Sequence, residues 1–538
     1  MARRSQPLTG ALAPAALGGG VRRRRLPLRV SLTGGAALAA LGALTLGAVA
    51  VVALRAEEAG SLRAADWRAL SFTLRQAALS ALLSVASALP VARALARRRF
   101  RGRETLTTLL GAPFLLPVIV AILGITQVWG RSGWASDALA AAGLPRLDIY
   151  GMPGVLIAHV FFNLPLAARL LLQAYAEIPP ERWRVATQLG LDGPALFRAL
   201  EWPALRAAIP GALALVFAVC ATSFAVALAL GGGPRATTLE LAIYEAAVFE
   251  FDLARAARLA ALQFTVCAGA TLAALAASAP LDAGWGLART PERWDGRGLG
   301  ARLMDGAALV CAGAFLVPPL LSVILRGAEG LAALGAEVWE AAARSLGVAL
   351  VSTALCLALA LPIAALTAAL AGRLAAGVET VGLAPLAASP FVIGIALFIL
   401  LRPVANPAAL ALPLTALVNA ASAAPFALRI LIPAIRGAHA ARGRLADSLG
   451  LSGLDRLRIL YVPALRRPLG FAAGLAAALS AGDLGVIALF SAPDSPTLPL
   501  LMHLLAGSRN IDAAHGAALV LVALSLALFW AFDRIGRA

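Results

Sequence analysis

A few polar residues interrupt the long apolar runs of this 538-residue chain, and they are its clearest candidates for chemistry. Thr222, Ser223 and Phe224 lie in one run, and Asp483 lies in another. A polar side chain inside a membrane segment is costly and marks a functional site by default. Asp483 is the sharpest of these candidates because its carboxylate can attract a cation. Two other interpretations stay open, since the same carboxylate can cap an interrupted helix or pair with an arginine.

The absence of lysine excludes several kinds of catalytic site. All 46 basic residues are arginine, so there is no P-loop lysine, no Schiff-base lysine and no Ser-Lys dyad. The four cysteines stand alone in apolar runs without C-x-x-C spacing, which favours small buried side chains over a disulfide framework or a zinc site. The four histidines are too far apart to indicate a metal site. We therefore expect a non-catalytic chain without a metal or cofactor of its own.

The apolar runs themselves predict a membrane protein. Charged residues make up 14% of the chain, against about 25% in soluble domains. Crossing the bilayer takes roughly 20 apolar residues. Runs of this kind lie near 31–54, 72–96, 106–128, 151–175, 207–230, 257–279, 303–325, 344–370, 379–401, 409–432, 468–490 and 514–532. The sequence thus predicts an all-α polytopic membrane protein with about 12 transmembrane helices.

The placement of the arginines predicts how these helices face. The amino-terminal arm, the even-numbered loops and the carboxy-terminal tail hold 30 of the 46 arginines, whereas the odd-numbered loops hold 12. The positive-inside rule then places both termini and the even loops in the cytoplasm. Because topology explains the net charge of +18, no nucleic-acid partner is expected. The arginine cluster at 97–103 is interpreted as a topology anchor rather than a lipid or nucleic-acid site.

An internal repeat relates the two halves of the chain at an offset of 260 residues. Matching pairs include Pro165 and Pro425, Arg169 and Arg429, and the runs Pro203-Ala204-Leu205-Arg206 and Pro463-Ala464-Leu465-Arg466. Both copies face the same side, so the halves are parallel six-helix repeats related by an axis along the membrane normal. The offset also matches 222–224 to 482–484, near that axis. The predicted organisation is a basic cytoplasmic arm (1–30), a first repeat (31–280), a cytoplasmic linker (281–302) and a second repeat (303–538).

The best-preserved part of the repeat is a pair of cytoplasmic loops, 177–206 and 433–467. Each predicts a short helix, a turn at Gly190 or Gly450, a second short helix, and a proline that opens the next span. The glycine suits a turn with positive φ or a close contact with a partner. Loops normally vary more than the spans beside them, so this preservation indicates a binding surface rather than a remnant of gene duplication.

These loops resemble the EAA loops of binding-protein-dependent ABC importer permeases, in which E-A-A, three residues, Gly and nine residues precede I-x-L-P. Both copies keep this spacing, although Arg184-Val185 and Arg444-Leu445 stand where the family has Glu-Ala. The resemblance implies a type I ABC importer permease fold. It also implies two copies of a separate ATPase subunit, which bind ATP and Mg and each receive one loop. The coupling residues that it implies are Ala186, Gly190, Leu200, Pro203, Ala446, Gly450, Leu460 and Pro463.

A second resemblance concerns the substrate. The stretch from Glu201-Trp202-Pro203 to Glu240, together with Gly482-Asp483 and Thr497-Leu498-Pro499, is similar to permeases for thiamine and thiamine pyrophosphate. It implies import of a small molecule delivered by a periplasmic binding protein, with Asp483 attracting the thiazolium cation. Ferric-iron importer permeases are also fused, double-length relatives and give an alternative substrate. The acidic segment 231–252 is left open as a lid, a docking surface or a solvated face.

A secondary transporter of the major facilitator type is the alternative from another class, because it also has twelve spans in two parallel halves. The run Asp533-Arg534-Ile535-Gly536-Arg537 matches the D-R-x-G-R loop of that family. It follows the last span, however, instead of separating spans two and three. The importer interpretation is therefore preferred. An importer permease should be encoded beside an ATPase and a secreted binding protein.

Overall fold

Helices and short connections make up the described part of the chain. The computed structural model describes residues 28–57, 60–103, 106–107, 110, 116–231, 233, 236–277, 293–451, 455, 457–490, 495–508 and 510–537. No strand occurs within these ranges. The helices confirm the predicted all-α, polytopic membrane architecture. Most of the predicted basic arm (1–30) and the first part of the predicted linker (281–292) lie outside the described residues.

The helices of the first half are connected by short turns, three of them π-helical. The described α-helices are α1 (Leu28–Gly42), α2 (Ala48–Ala56), α3 (Ala64–Arg97), α4 (Val118–Trp129), α5 (Trp134–Ala141), α6 (Met152–Ala176), α7 (Pro180–Gln188), α8 (Gly193–Leu196), α9 (Trp202–Ala221), α10 (Phe224–Leu230), α11 (Leu239–Tyr244) and α12 (Leu253–Ala277). The π-helical turns are Ala43–Gly47, Phe197–Glu201 and Glu245–Phe249.

The second half repeats this order with fewer breaks. Its described α-helices are α13 (Leu299–Gly330), α14 (Ala336–Ala369), α15 (Gly372–Leu383), α16 (Pro390–Leu401), α17 (Ala411–Ser448), α18 (Val462–Ala481), α19 (Gly485–Phe490), α20 (Leu498–Gly507) and α21 (Ile511–Arg537). A π-helical turn at Leu457–Tyr461 precedes α18.

The predicted number of twelve spans is not confirmed. Within the described ranges, nine helical segments are long and apolar enough to cross a membrane, or ten if the pair α15 and α16, bent by 82°, forms one span. The third predicted span (106–128) retains only the 12-residue α4 as a described helix. The eleventh (468–490) is interrupted at 482–484, and Arg466 and Arg467 lower the hydropathy of α18.

The first helix of each half packs against the opposite half. α1 lies along α14 and α15, and α2 contacts α16, while α13 lies along α3 and α4. The other long helices repeat one pattern: α3 packs on α6 and α9 as α14 packs on α17 and α18. α12 packs on α9 as α21 packs on α18. The halves are therefore interlocked, and the largest core cluster contains residues of both.

Small residues let these helices approach closely across the two halves. Gly124 of α4 faces α13 so closely that a Cβ on it would collide with the Pro319 carbonyl oxygen. We expect Gly124→Leu to push α13 away and to lower the free energy of unfolding by about 1–3 kcal/mol. Thermal unfolding in detergent measures this effect. Gly313→Leu on α13, where a Cβ would meet nothing within 4 Å, is the control, and an equal loss in both variants would contradict the argument.

Candidate functional site

A cavity of about 330 Å³ lies between the two halves, where two long helices are interrupted. The first interruption separates α9 from α10, and the second separates α18 from α19 at the positions related by the 260-residue offset. Interrupted helices leave backbone groups without intrahelical partners, which a membrane protein tolerates where they line an internal cavity. The structure brings the four predicted pathway residues together around this cavity: Thr222, Ser223, Phe224 and Asp483.

Asp483 occupies the break between α18 and α19. Its Oδ2 accepts a hydrogen bond from the Val486 N–H at 3.2 Å, so the carboxylate caps α19, as one of the sequence interpretations had it. Arginine is absent from the described residues that line the cavity, which leaves the ion-pair interpretation without support. Because the same carboxylate also lines the cavity, capping the helix and attracting a cation are compatible roles.

A second carboxylate, Glu240, lines the same cavity, and it was not among the predicted pathway residues. It is 1% exposed, and its Oε1 has no hydrogen-bond partner in the described part of the chain. The sequence interpretation placed it in an acidic outer segment, whereas α11 packs against α3, α10 and α12. The apolar residues on either side of it in the sequence, Leu239 and Leu241, were the signal that could have predicted its burial. The residue at the matching position is Leu500, so each half contributes one carboxylate from a non-equivalent position.

Aromatic rings stand beside the two carboxylates. The ring centroid of Phe224 lies 4.5 Å from that of Phe391 and 5.3 Å from that of Tyr244. Phe224 follows the break in the first half and Phe391 belongs to α16, so this ring pair bridges the two halves. The face of an aromatic ring carries partial negative charge and attracts cations. Carboxylates and ring faces together make a pocket suited to an organic cation.

Two polar residues of α6 also line the cavity. The Nδ1 of His159 lies 3.0 Å from Ser80 Oγ, and its Nε2 is buried without a partner among the described residues. Asn163 donates from Nδ2 to the His159 carbonyl at 2.8 Å. The sequence interpretation treated the histidines as scattered and assigned them no role. In the folded chain, His159 and Asn163 give the cavity hydrogen-bonding capacity beside its charged groups.

The two predicted coupling loops end their first helix in the same way. Gly190 and Gly450 have φ of +64° and +66°. The N–H after each glycine donates to the carbonyl of Ala186 or Ala446, at 3.0 and 2.9 Å. This is the Schellman ending, whose glycine position requires left-handed backbone. This local geometry explains the glycine of each turn, and a Cβ on either glycine would meet nothing within 4 Å.

The side chains around these turns divide into buried and exposed sets. Ala186 and Ala446 are each 3% exposed, so they pack within the chain itself. Four apolar side chains at matching positions of the two turns are each more than half exposed. We call them the turn leucines and valine: Val185, Leu189, Leu445 and Leu449. Large apolar side chains exposed at equivalent positions of two turns indicate an interaction surface. The offset of 260 pairs them in the sequence, although they were not among the predicted contact residues.

The two loops differ before the turn. In the first, α6 ends at Ala176 and α7 begins at Pro180, whereas in the second α17 runs without a break to Ser448. Pro179 and Pro180 explain this difference, because a proline has no N–H to donate and disfavours helical backbone in the residue before it. At the matching positions of the second loop the residues are His439 and Ala440. The separate short helix predicted for the second loop is therefore the end of a long helix.

Both loops return to the next long helix through a π-helical turn, Phe197–Glu201 or Leu457–Tyr461. Pro203 and Pro463 follow these turns by two residues. A proline cannot donate to the carbonyl four residues earlier and crowds it, so the wider turn accommodates the ring. Leu200 lies in the first π-helical turn and is buried. Leu460 lies in the second, with its side chain outside the described part.

A cluster of ion pairs fastens the first π-helical turn. Glu201 is fully buried and accepts hydrogen bonds from Arg93 Nε, at 2.7 Å, and from Arg293 Nη2. The Arg293 guanidinium also stacks on Trp183 of α7, 4.3 Å from the ring centroid. The described end of the predicted linker therefore ties the first coupling loop to α3. The residue matching Glu201 is Tyr461, so the second loop has no equivalent carboxylate.

We expect Glu201→Gln to destabilise the fold by about 3 kcal/mol, because it leaves Arg93 and Arg293 without their shared counter-charge. Thermal unfolding in detergent tests this expectation. Glu177→Gln removes an exposed carboxylate of the same loop and serves as the control, which should unfold at the parent temperature. If the two variants unfold at the same temperature, Glu201 does not fasten the turn.

Relatives of known name identify the family of the chain. No protein-family model matches it. It is 42% identical over 520 residues to the thiamine transport system permease protein of Brucella abortus (strain 2308), covering 94% of this chain and 96% of that protein. The same-named protein of Escherichia coli K12 is 40% identical over 477 residues, covering 87% and 89%. That of Haemophilus influenzae is 35% identical over 461 residues, covering 84% and 85%. The chain therefore belongs to the family of thiamine transport system permeases.

Proposed function

We propose that the chain is the membrane permease of an ATP-driven importer and that thiamine crosses through the cavity between the interrupted helices. The observation that carries this proposal is that one cavity is lined by the buried carboxylate of Glu240, the partly buried carboxylate of Asp483 and the Phe224–Phe391 ring pair. Thiamine has a permanently charged thiazolium ring and an uncharged aminopyrimidine ring. These match the carboxylates and the ring faces. The names of the relatives support the same substrate.

The cavity suits a small substrate that passes through it rather than one that stays bound. Its volume of about 330 Å³ is near the lower end of the roughly 300–1,000 Å³ of ligand pockets. Carboxylates removed from water are costly without a cation, so the cavity favours a charged substrate over a neutral one. A conducting site must bind weakly enough to release its ligand. Here the carboxylates and the aromatic side chains select the substrate without enclosing it completely.

The energy for transport comes from a separate subunit in this proposal. Without a lysine the chain has no P-loop, so ATP and Mg bind to two copies of a partner ATPase. Each copy receives one coupling loop at the turn leucines and valine. Gly190 and Gly450 keep the turns open for close approach. Of the other predicted coupling residues, Ala186, Leu200 and Ala446 are buried beneath the turns. Pro203 and Pro463 lie at the start of the helices that follow, and Leu460 completes the predicted set.

The connection between the coupling turns and the cavity supports this mechanism. Each loop continues through its π-helical turn into α9 or α18, and each of these helices ends at the break that lines the cavity. Both helices have 20 residues, about 30 Å of rise. A displacement of either turn is therefore carried along one continuous helix to Thr222 or Asp483. Equal lengths let the two ATPase copies act on the cavity symmetrically.

The arginine distribution sets the proposed orientation. Both termini and the coupling loops face the cytoplasm of a bacterium, and the chain lies in the inner membrane. A periplasmic binding protein then delivers the substrate to the opposite face. Exposed ion pairs on that face, between Arg131 and Asp148 and between Arg146 and Asp137, offer a polar surface for it.

ATP hydrolysis by the chain in nanodiscs, with its genomically neighbouring ATPase and binding protein, tests the proposed function. We expect stimulation by thiamine or thiamine pyrophosphate and none by ferric iron. Stimulation by iron alone would keep the mechanism and overturn the substrate. Failure of any ATPase to associate would overturn the importer mechanism and favour a secondary transporter.

A further inference from the structure

A second cavity, of about 630 Å³, lies beside the first coupling loop and shares no lining residue with the cavity of the proposed pathway. Its walls come from the end of α3, from Leu172 and Tyr175 of α6, from Trp183 of α7 and from the segment 293–302. Seven arginines line it, and no carboxylate is among the described lining residues: Arg97, Arg98, Arg99, Arg103, Arg293, Arg297 and Arg302. The sequence interpretation had treated those at 97–103 as a topology anchor.

Carboxylates behind the wall neutralise only part of this charge. Asp305 pairs with Arg97 and Arg98 at 3.3 and 2.7 Å, and Asp295 pairs with Arg97 and Arg293 at 3.0 and 2.8 Å. Burial alone would raise the pKa of Asp295, but hydrogen bonds from Arg293 and the surrounding positive charges hold it below the usual range. Asp295 is therefore ionised, and its charge is paired with Arg97 and Arg293. Among the described ion pairs, none involves Arg297 or Arg302.

Donors without acceptors remain in this wall. Arg97 Nε, Arg98 Nη2 and Arg293 Nη1 are buried and have no hydrogen-bond partner within the described part of the chain. The side chains of Arg97 and Arg293 are only 4% and 7% exposed, so water does not substitute freely for an acceptor. Buried guanidinium donors beside further arginines form the arrangement that binds phosphate oxygens, often with two parallel hydrogen bonds.

We propose that this arginine pocket binds a phosphate- or diphosphate-bearing anion. The anion accepts hydrogen bonds from the arginines that line the cavity and joins the segment 293–302 to α3 and α7. Trp183 gives the pocket an aromatic wall on the first coupling helix, so the occupant lies against that helix directly. In the second half the corresponding region, from the end of α14 to the first turn of α15, has a single arginine, Arg373. The site therefore acts on one coupling loop and not on the other.

Binding to the full chain in nanodiscs, without ATPase or binding protein, tests the site independently of transport. Radiolabelled pyrophosphate in discs of pure phosphatidylcholine probes a free anion, and phosphatidylglycerol in the discs probes a lipid headgroup. We expect saturable, one-to-one binding of one of these probes. Arg297→Gln with Arg302→Gln should weaken it at least tenfold, because both residues are exposed and the fold does not depend on them.

The matched control is Arg182→Gln with Arg184→Gln, which removes two exposed arginines of α7 that do not line the pocket. Loss of pyrophosphate binding in the pocket variant alone supports a free anion as ligand. Loss of one-to-one phosphatidylglycerol binding in that variant alone supports a lipid headgroup. Absence of saturable binding for both probes, or equal weakening in both variants, would overturn the proposal.

Discussion

We expect Leu189→Asp with Leu449→Asp to release the proposed ATPase subunits from the chain and to abolish thiamine-stimulated ATP hydrolysis. Both leucines are about two-thirds exposed at equivalent positions of the two coupling turns. Exposed substitutions of this kind change the free energy of unfolding by about 0.5 kcal/mol or less, so the variant should still insert and fold. In a complex, each aspartate would lose its hydration against an apolar groove. A charge buried without a partner there is sufficient to prevent docking.

Co-purification of the ATPase through a tag on the permease measures this result. The control is Leu299→Asp with Leu374→Asp, two leucines of similar exposure at other helix starts on the side of the coupling loops. The control should retain both ATPase copies. Retention of the ATPase by the Leu189 and Leu449 variant would show that docking uses another surface.

The glycines of the same turns provide an independent version of this experiment. Gly190→Asp with Gly450→Asp adds backbone strain of about 1–2 kcal/mol per site, since both positions have positive φ. Gly372→Asp has the same strain, with φ of +61° and an equally open environment, but lies outside the coupling loops. If only the variant with Gly190→Asp and Gly450→Asp loses the ATPase, the loss is therefore due to impaired docking. Loss in both would indicate that strain alone disturbs the chain.

Much of this architecture could be predicted because it depends on local sequence. Apolar run length determines which segments span a membrane, and the 260-residue offset determines which of them correspond. The glycine turns were predictable for the same reason, since a Schellman ending needs only a glycine at the right place. The difference between the two loops was also visible in Pro179 and Pro180, which occur in one copy alone.

The remaining features depend on contacts between residues distant in the sequence. Glu240 has the local setting of a loop carboxylate, and only the return of α11 towards α3 and α12 buries it. The first helix of each half packs against the opposite half because the two halves share a core. Hydropathy alone does not show which half a membrane-spanning helix packs against. The arginines at 97–103 satisfy the positive-inside rule equally well with or without a pocket. The pocket exists because segment 293–302 lies against them in the folded chain.

Neutralising the two cavity carboxylates should stop thiamine transport while leaving the complex assembled. We expect Glu240→Gln and Asp483→Asn each to lower thiamine uptake at least tenfold. Removing one charge–cation interaction of about 1.4 kcal/mol accounts for that factor. The double variant should lose more than 100-fold if the two carboxylates act on the same cation independently. Uptake of radiolabelled thiamine into proteoliposomes with ATPase and binding protein measures the effect, and ATPase co-purification verifies assembly.

Asp483 needs a further comparison because it also caps α19. Asparagine keeps an oxygen that can accept from the Val486 N–H, whereas alanine removes both the cap and the charge. If the charge matters for transport, Asp483→Asn fails almost as completely as Asp483→Ala. If the cap alone matters, asparagine restores uptake and alanine does not. Glu340→Gln, an exposed carboxylate paired with Arg344 away from the cavity, is the control for charge removal. Normal uptake by Glu240→Gln would separate that buried carboxylate from the pathway, and the cation site would then consist of Asp483 and the aromatic rings.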